Sequence, residues 1–274
     1  MIAQTEAYGL TFRYPAHDTA VGACLRDFGE FAKPEQDFLL DHAPGPTGTF
    51  VDVGAHIGSV SMPFAKARPG WRVIAIEAAF PLANLILEGA EANGLSNVEV
   101  LSVAAGEAAG IAEFPAIELG YTGNFGAVGF AHRLQKRRKV GVRPLDDIAP
   151  DDTKVVKVDV EGFEAAVLRG ATRLLRDIRP VWLLEAHRGK TEQTREVADL
   201  LTAQGYRLFW FFSPFATPLA PKGAPAEVGR GDLGLVAAPT DQALRWELTP
   251  VTDLAAPPTE DRAFPYLGRY GYAL

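Results

Sequence analysis

The residues with chemistry to offer fall into a few short groups. Asp52-Val53-Gly54-Ala55-His56-Ile57-Gly58 sets two glycines four apart behind an acid. That spacing allows a tight turn and a close approach of a ligand to the backbone. A dinucleotide-binding turn needs one more glycine between them, where the pyrophosphate presses on the chain, and His56 stands there instead; no Gly-Lys-Ser/Thr follows to make a phosphate loop. A nucleoside without phosphates therefore fits better than NAD or ATP. Glu77, 19 residues beyond Gly58, is placed to accept hydrogen bonds from both ribose hydroxyls, at roughly 1.5–3 kcal/mol each. Ala78, Val103 and Ala104 are small or apolar residues that can border an adenine ring, and Ile57 and Gly58 complete the turn.

A second set could carry catalysis. Asp159 and Glu161 lie two apart; carboxylates this close can share a proton or hold a divalent ion, although Glu161 could equally favour the dipole of a following helix. Glu185 and His187, also two apart, share a face if their strand continues, and His187 is a candidate general base near neutral pH. Asn124, in Gly123-Asn124-Phe125-Gly126, is either a ligand contact or a turn residue.

These groups make sense only at strand ends. Apolar runs at 50–53, 72–77, 98–103, 155–159, 180–185 and 206–212 alternate with helical spacing at 57–67, 82–90, 163–175 and 192–204, the pattern of a mostly parallel, doubly wound α/β sheet with flanking helices. In such sheets ligands bind beyond the carboxyl ends of the strands, where every group above falls. Residues 106–141 are glycine-rich without helical period and read as hairpins and loops over the site. Pro34 can open a short helix over 35–41 that could cap it. One domain over 1–274 is expected: a cap segment at 1–48, an α/β core at 49–212, and an extension at 213–274 with a last strand near 233–238.

With these elements in place the sequence resembles a known family, the FkbM-type methyltransferases. The matching stretches are FVDVGAHIGSVS, VIAIEAAFPLANLILEGAEANGLSNVEVLSVAAGE, TGNFGAV, RPLDDI, VVKVDVEGFEAAVLRGATRLL and RPVWLLEAH. The chain departs from the family's usual Asn at His56 and usual Pro at Ala78. The resemblance implies a Rossmann-like class I methyltransferase fold and S-adenosylmethionine as cofactor, with S-adenosylhomocysteine as product. It also implies cofactor contacts from Asp52, Gly54, His56, Ile57, Gly58, Glu77, Ala78, Val103 and Ala104. Catalytic roles are expected among Asp159, Glu161, Glu185, His187 and Asn124, since one strand-end carboxylate can meet the methionyl ammonium and another can orient or deprotonate an acceptor. O-methylation of a sugar or secondary-metabolite hydroxyl is the leading expectation; N-methylation, a non-catalytic binding domain and, on fold alone, a nicotinamide oxidoreductase are the alternatives.

Composition trims the rest. A net charge of −7 argues against a broad nucleic-acid surface. The basic run at 133–139 is the local exception, read as a solvated hairpin face or as a reader of an acidic sugar conjugate. A single cysteine, Cys24, excludes an internal disulfide and reads as a small buried residue, and no dedicated metal site is expected, although a divalent ion at Asp159 and Glu161 is conceivable. No run long enough to span a membrane and no leader pattern occurs, so the expectation is cytoplasmic. The aromatic segment 206–215 could cover a homodimer surface or close the site.

Overall fold

The computed structural model describes residues 1–133, 136–186, 191–227 and 229–274. Its strands are β1 (Ile2–Ala7), β2 (Leu10–Pro15), β3 (Gly48–Val53), β4 (Trp71–Ile76), β5 (Val98–Leu101), β6 (Ala104–Ala105), β7 (Gly110–Pro115), β8 (Arg137–Arg143), β9 (Thr153–Val158), β10 (Val181–Glu185), β11 (Tyr206–Pro214), β12 (Gly231–Pro239) and β13 (Thr249–Pro250). Its α-helices are α1 (Val21–Asp27), α2 (Lys33–Asp41), α3 (Ser61–Ala67), α4 (Phe80–Ala92), α5 (Glu164–Arg169) and α6 (Thr191–Ala203).

Eight strands form one sheet in the order β13-β11-β12-β10-β9-β3-β4-β5. From β5 to β10 all neighbours are parallel, and β12 runs antiparallel between β10 and β11. The central strands are apolar along their whole length because helices cover them: all six residues of β3 are buried, as are Val155, Val156 and Val158 of β9. The order reverses between β3 and β9, so the loops leaving those strands part and open a crevice. This is the class I methyltransferase arrangement expected from the sequence. No described helix is long and apolar enough to cross a membrane.

Two expected helices are shorter than their periodicity suggests. The stretch 57–67 becomes helical only at Ser61, because His56 and Gly58 hold positive φ angles of 55° and 78° and cannot lie in a right-handed helix. The stretch 163–175 breaks at Gly170 and resumes as a π-helical turn, Leu174–Ile178. A Cβ at Gly170 would lie 2.0 Å from the Gly106 carbonyl, and Asp146 caps the second piece by accepting hydrogen bonds from the Arg173 and Leu174 amides.

The N-terminal segment is more regular than expected. β1 and β2 form a hairpin whose two turn residues, Tyr8 and Gly9, both have positive φ, the geometry that suits strand twist. The hairpin buries Leu10, Phe12 and Tyr14, and Asn93 at the end of α4 clamps it through the Thr11 N–H and C=O. The 106–141 insertion supplies the β7–β8 hairpin, which joins β6 in a three-stranded sheet, and the loop that follows β7 passes over the crevice. Its Gly123 carbonyl accepts a hydrogen bond from the Thr19 amide, tying the loop to the segment before α1. Cys24 is buried, as expected.

Candidate active site

The crevice lies at the carboxyl ends of β3, β4 and β9, and its empty volume, solvent-facing mouth included, is about 1200 Å³. Asp52, Gly54, Ala55 and His56 form its floor; Glu77 and Ala78 follow from β4, Val103 from the link after β5 and Ala104 from β6. The apolar side continues through Leu82, Phe114, Ile117, Phe125 and Val128, a wall suited to a flat aromatic ring. Ile57 and Gly58 do not line the crevice. Ile57 is fully buried beneath the turn, and Gly58 packs against Met62 and Ile86.

Gly54 has a cause inside the protein. Its φ is +83°, and a Cβ there would stand 1.7 Å from the Asp159 carbonyl oxygen, so the end of β9 crosses directly over the turn. Glu77 does more than line the crevice. Its two oxygens accept hydrogen bonds from the amides of His56 (2.9 Å) and Ala79 (2.8 Å), fastening the turn after β3 to the turn after β4. Each oxygen keeps a lone pair for a hydroxyl. Burial pushes the Glu77 carboxyl up to about 7, against the pull of those two amides. His56 is nearly buried, burial holds its imidazole neutral, and neither ring nitrogen has a hydrogen-bond partner among the described residues.

Lys157 is the electrostatic centre. Its buried ammonium lies 3.0 Å from Asp159, 3.7 Å from Glu35 and 3.8 Å from Asp52. Burial opposes that charge, but the three carboxylates outweigh it and hold the lysine ionised far above its ordinary range. Asp52 is fully buried and accepts a hydrogen bond from Ser61, while its other oxygen, the one that faces Lys157, has no hydrogen-bond partner among the described residues. Glu35, carried into the crevice by the first turn of α2, is pushed by burial up to about 8.

Asp159, Glu161 and Glu185 converge: one carboxylate oxygen from each lies within 4.8 Å of the others, a spacing a divalent cation would accept. Without a cation, burial and the charges of Asp159 and Glu161 push Glu185 well above the usual carboxylate range. Glu185 lies behind Asp159, outside the main chamber. Glu161 sits in a left-handed backbone conformation at φ 54°, and it is Glu164 that caps the turn before α5, accepting from the Val160 and Gly162 amides. Asn124 lines the chamber and also closes its own turn, accepting from the Gly126 amide. His187 lies outside the described residues.

With the switch-point crevice, the glycine turn and the acid that follows β4 in place, comparison with known proteins decides the family. Residues 52–208 match the methyltransferase FkbM domain. The chain belongs to the FkbM methyltransferase family. Among solved structures, the methyltransferase FkbM from Methylobacillus flagellatus KT is 23% identical over 70% of this chain and 44% of that chain, with a TM-score of 0.48. The chain thus spans less than half of that protein's length. An O-methyltransferase from Bacillus cereus in complex with SAH is 14% identical over 82% of this chain and 84% of that one, with a TM-score of 0.47. TYW2 from M. jannaschii in complex with AdoMet is 14% identical over 86% and 84%, with a TM-score of 0.45. No curated protein matches the chain.

The FkbM methyltransferase domain takes in every strand of the parallel core, from the end of β3 into β11. Sequence reasoning did not find Glu35, Ser213 or Asp232, all of which line the chamber of this FkbM protein. The basic run is largely engaged: Lys136 pairs with Glu118, the Arg137 guanidinium donates to the carbonyls of Glu113, Phe130 and His132, and Arg138 lies over the Phe80 ring. The aromatic segment 206–215 turns inward. Trp210, Phe211 and Phe212 are buried, and Phe215 lines the chamber.

Proposed function

We propose that this enzyme transfers the methyl group of S-adenosylmethionine to a hydroxyl oxygen of a sugar or secondary metabolite. The observation that carries this reading is the division of the crevice: an apolar chamber beside Glu77 and a carboxylate-lined end around Lys157, joined at Gly54. Adenine fits the apolar wall, the ribose hydroxyls fit the free lone pairs of Glu77, and Asp52 and Asp159 suit the methionyl ammonium. The unpartnered ring nitrogens of His56 support a polar ligand above the turn.

The cofactor supplies an electrophilic methyl group on a sulfonium. The protein's share is to hold an acceptor oxygen in line, exclude water and take up the acceptor's proton. Buried carboxylates at the far end are suited to the last task, and Asp159, held by Lys157 at 3.0 Å, is suited to orienting the acceptor rather than wandering into solvent.

Calorimetric titration with S-adenosylhomocysteine and, separately, with NADH tests the cofactor assignment, with binding expected for the first alone. Turnover of S-adenosylmethionine with hydroxylated and with amine acceptors then separates O- from N-methylation. Methylation confined to amines would overturn the oxygen assignment.

A further inference from the structure

His56 is unusual in two respects. It holds a left-handed backbone at φ 55°, and it stands where the family usually has Asn. Its backbone is committed, since its amide donates to Glu77 at 2.9 Å. Its side chain is not. The residue is only 8% exposed, it lines the crevice, and neither Nδ1 nor Nε2 has a hydrogen-bond partner among the described residues. A neutral imidazole carries one N–H donor and one acceptor, and leaving them unpaired away from water costs free energy that a ligand can return.

The charges around the crevice select the ligand group that would use that donor. Glu77 suits the ribose hydroxyls, and Asp52 and Asp159 suit the methionyl ammonium, but Lys157 is already committed to those two acids. The cofactor's own carboxylate is left without a counterpart there. Donors are found instead beside the start of α1. Asn124 lines the chamber, and its side-chain oxygen accepts from the Gly126 amide, which leaves its NH2 group to a ligand. Its loop is tied to the segment before α1 by the bridge between Gly123 and Asp18. His56 shares that corner, since Asp18 is one of the two acids whose charge acts on its ring, the other being Asp159. Neither is a bare anion: both Asp18 oxygens accept α1 amides, from Ala20 and Gly22, and Asp159 accepts from Lys157. We infer that His56 is the residue by which this enzyme recognises the carboxylate of the cofactor's methionyl end, donating a ring N–H to it beside the Asn124 amide. The contact makes the site discriminate against nucleosides that lack the carboxylate. The inference rests on the S-adenosylmethionine reading above.

The test is calorimetric titration of the full chain with three ligands: S-adenosylhomocysteine, its decarboxylated analogue, which keeps the ammonium, and methylthioadenosine, which lacks the whole amino-acid end. The proteins are wild type, His56→Phe, which keeps a ring and removes both nitrogens, and His56→Asn, which tolerates the left-handed turn and keeps a donor nearer the backbone. His56→Phe is expected to lose roughly tenfold or more in affinity for S-adenosylhomocysteine and His56→Asn roughly threefold. Both should stay within about twofold of wild type for the other two ligands. His56→Asn decides the matter alone if His56→Phe does not fold. Equal losses for S-adenosylhomocysteine and its decarboxylated analogue, or unchanged S-adenosylhomocysteine affinity in the folded variants, would overturn the assignment. Failure of wild type to bind S-adenosylhomocysteine would instead overturn the methyltransferase reading on which it rests.

Discussion

Glu77 accepts two backbone amides and, in the function proposed above, the ribose hydroxyls as well, so its replacements separate two functions. Glu77→Gln keeps one acceptor oxygen and should weaken S-adenosylhomocysteine binding by about tenfold, whereas Glu77→Ala also frees the turn and should lose about 2 kcal/mol or more of fold stability. Calorimetry and urea unfolding on the same pair check this; equal stability would show that the two amides find other partners. Glu35 gives a pH signature. Its carboxyl is raised to about 8 in the fold by burial, against the pull of Lys157 and with Asp159, Asp52 and Asp232 facing it, while the unfolded chain titrates near the ordinary value. Its favourable contribution is therefore complete below about pH 4.5 and is lost as pH rises through about 8. The ligand-free thermal midpoint should fall between about pH 5 and about pH 8 more steeply in wild type than in Glu35→Gln; identical slopes would mean that Glu35 ionises freely. Glu77 and Asp159 were visible in the sequence because each ends an apolar run, and Asp52 because it interrupts one just before a glycine turn. Glu35 and Ser213 were not, because nothing local marks them: they meet only once β11 and β12 have taken their places beside β10.

At the scale of elements, the turn after β3 shows how one residue's backbone is dictated by another strand. Gly54→Ala combines a left-handed conformation, worth about 1–2 kcal/mol for a residue with a Cβ, with an overlap at 1.7 Å on the Asp159 carbonyl. A loss of about 3 kcal/mol or more is expected in urea unfolding; a near-normal midpoint would show that the end of β9 can retreat. The same logic explains what periodicity misjudged. The apolar spacing over 163–175 is real, but the break at Gly170 answers the Gly106 carbonyl from another part of the chain, and no local pattern carries that information. The β1–β2 hairpin, in contrast, was readable: Leu10, Phe12 and Tyr14 alternate after Tyr8-Gly9, a turn signal that simple inspection for helices and long strands passes over.

Across the whole molecule, the C-terminal segment ties distant parts together. Trp246 donates to Asp41, the Arg245 amide donates to His42, and Tyr270 donates to Asp37, so the segment holds α2, the helix that delivers Glu35. Tyr266 closes the arrangement: its hydroxyl donates to the Phe212 carbonyl at 2.9 Å and accepts from the Phe212 amide at 2.7 Å. Tyr266→Phe removes both bonds and should cost about 1–3 kcal/mol, read as a lower thermal midpoint with S-adenosylhomocysteine affinity retained; an unchanged midpoint would assign the anchoring to packing alone. These bonds also bear on how the protein behaves in a crowd of its own kind. A nine-residue strand left open at the edge of a wide sheet is a template on which another chain can grow. Here the outer edge of β11 is already occupied, by the Val251 amide at Leu208, by β13 opposite Phe209 and Trp210, and by a phenol at Phe212, and β13 itself is two residues long and ends in proline. The chain's own tail serves as the last strand, leaving that edge little backbone with which to recruit a neighbour.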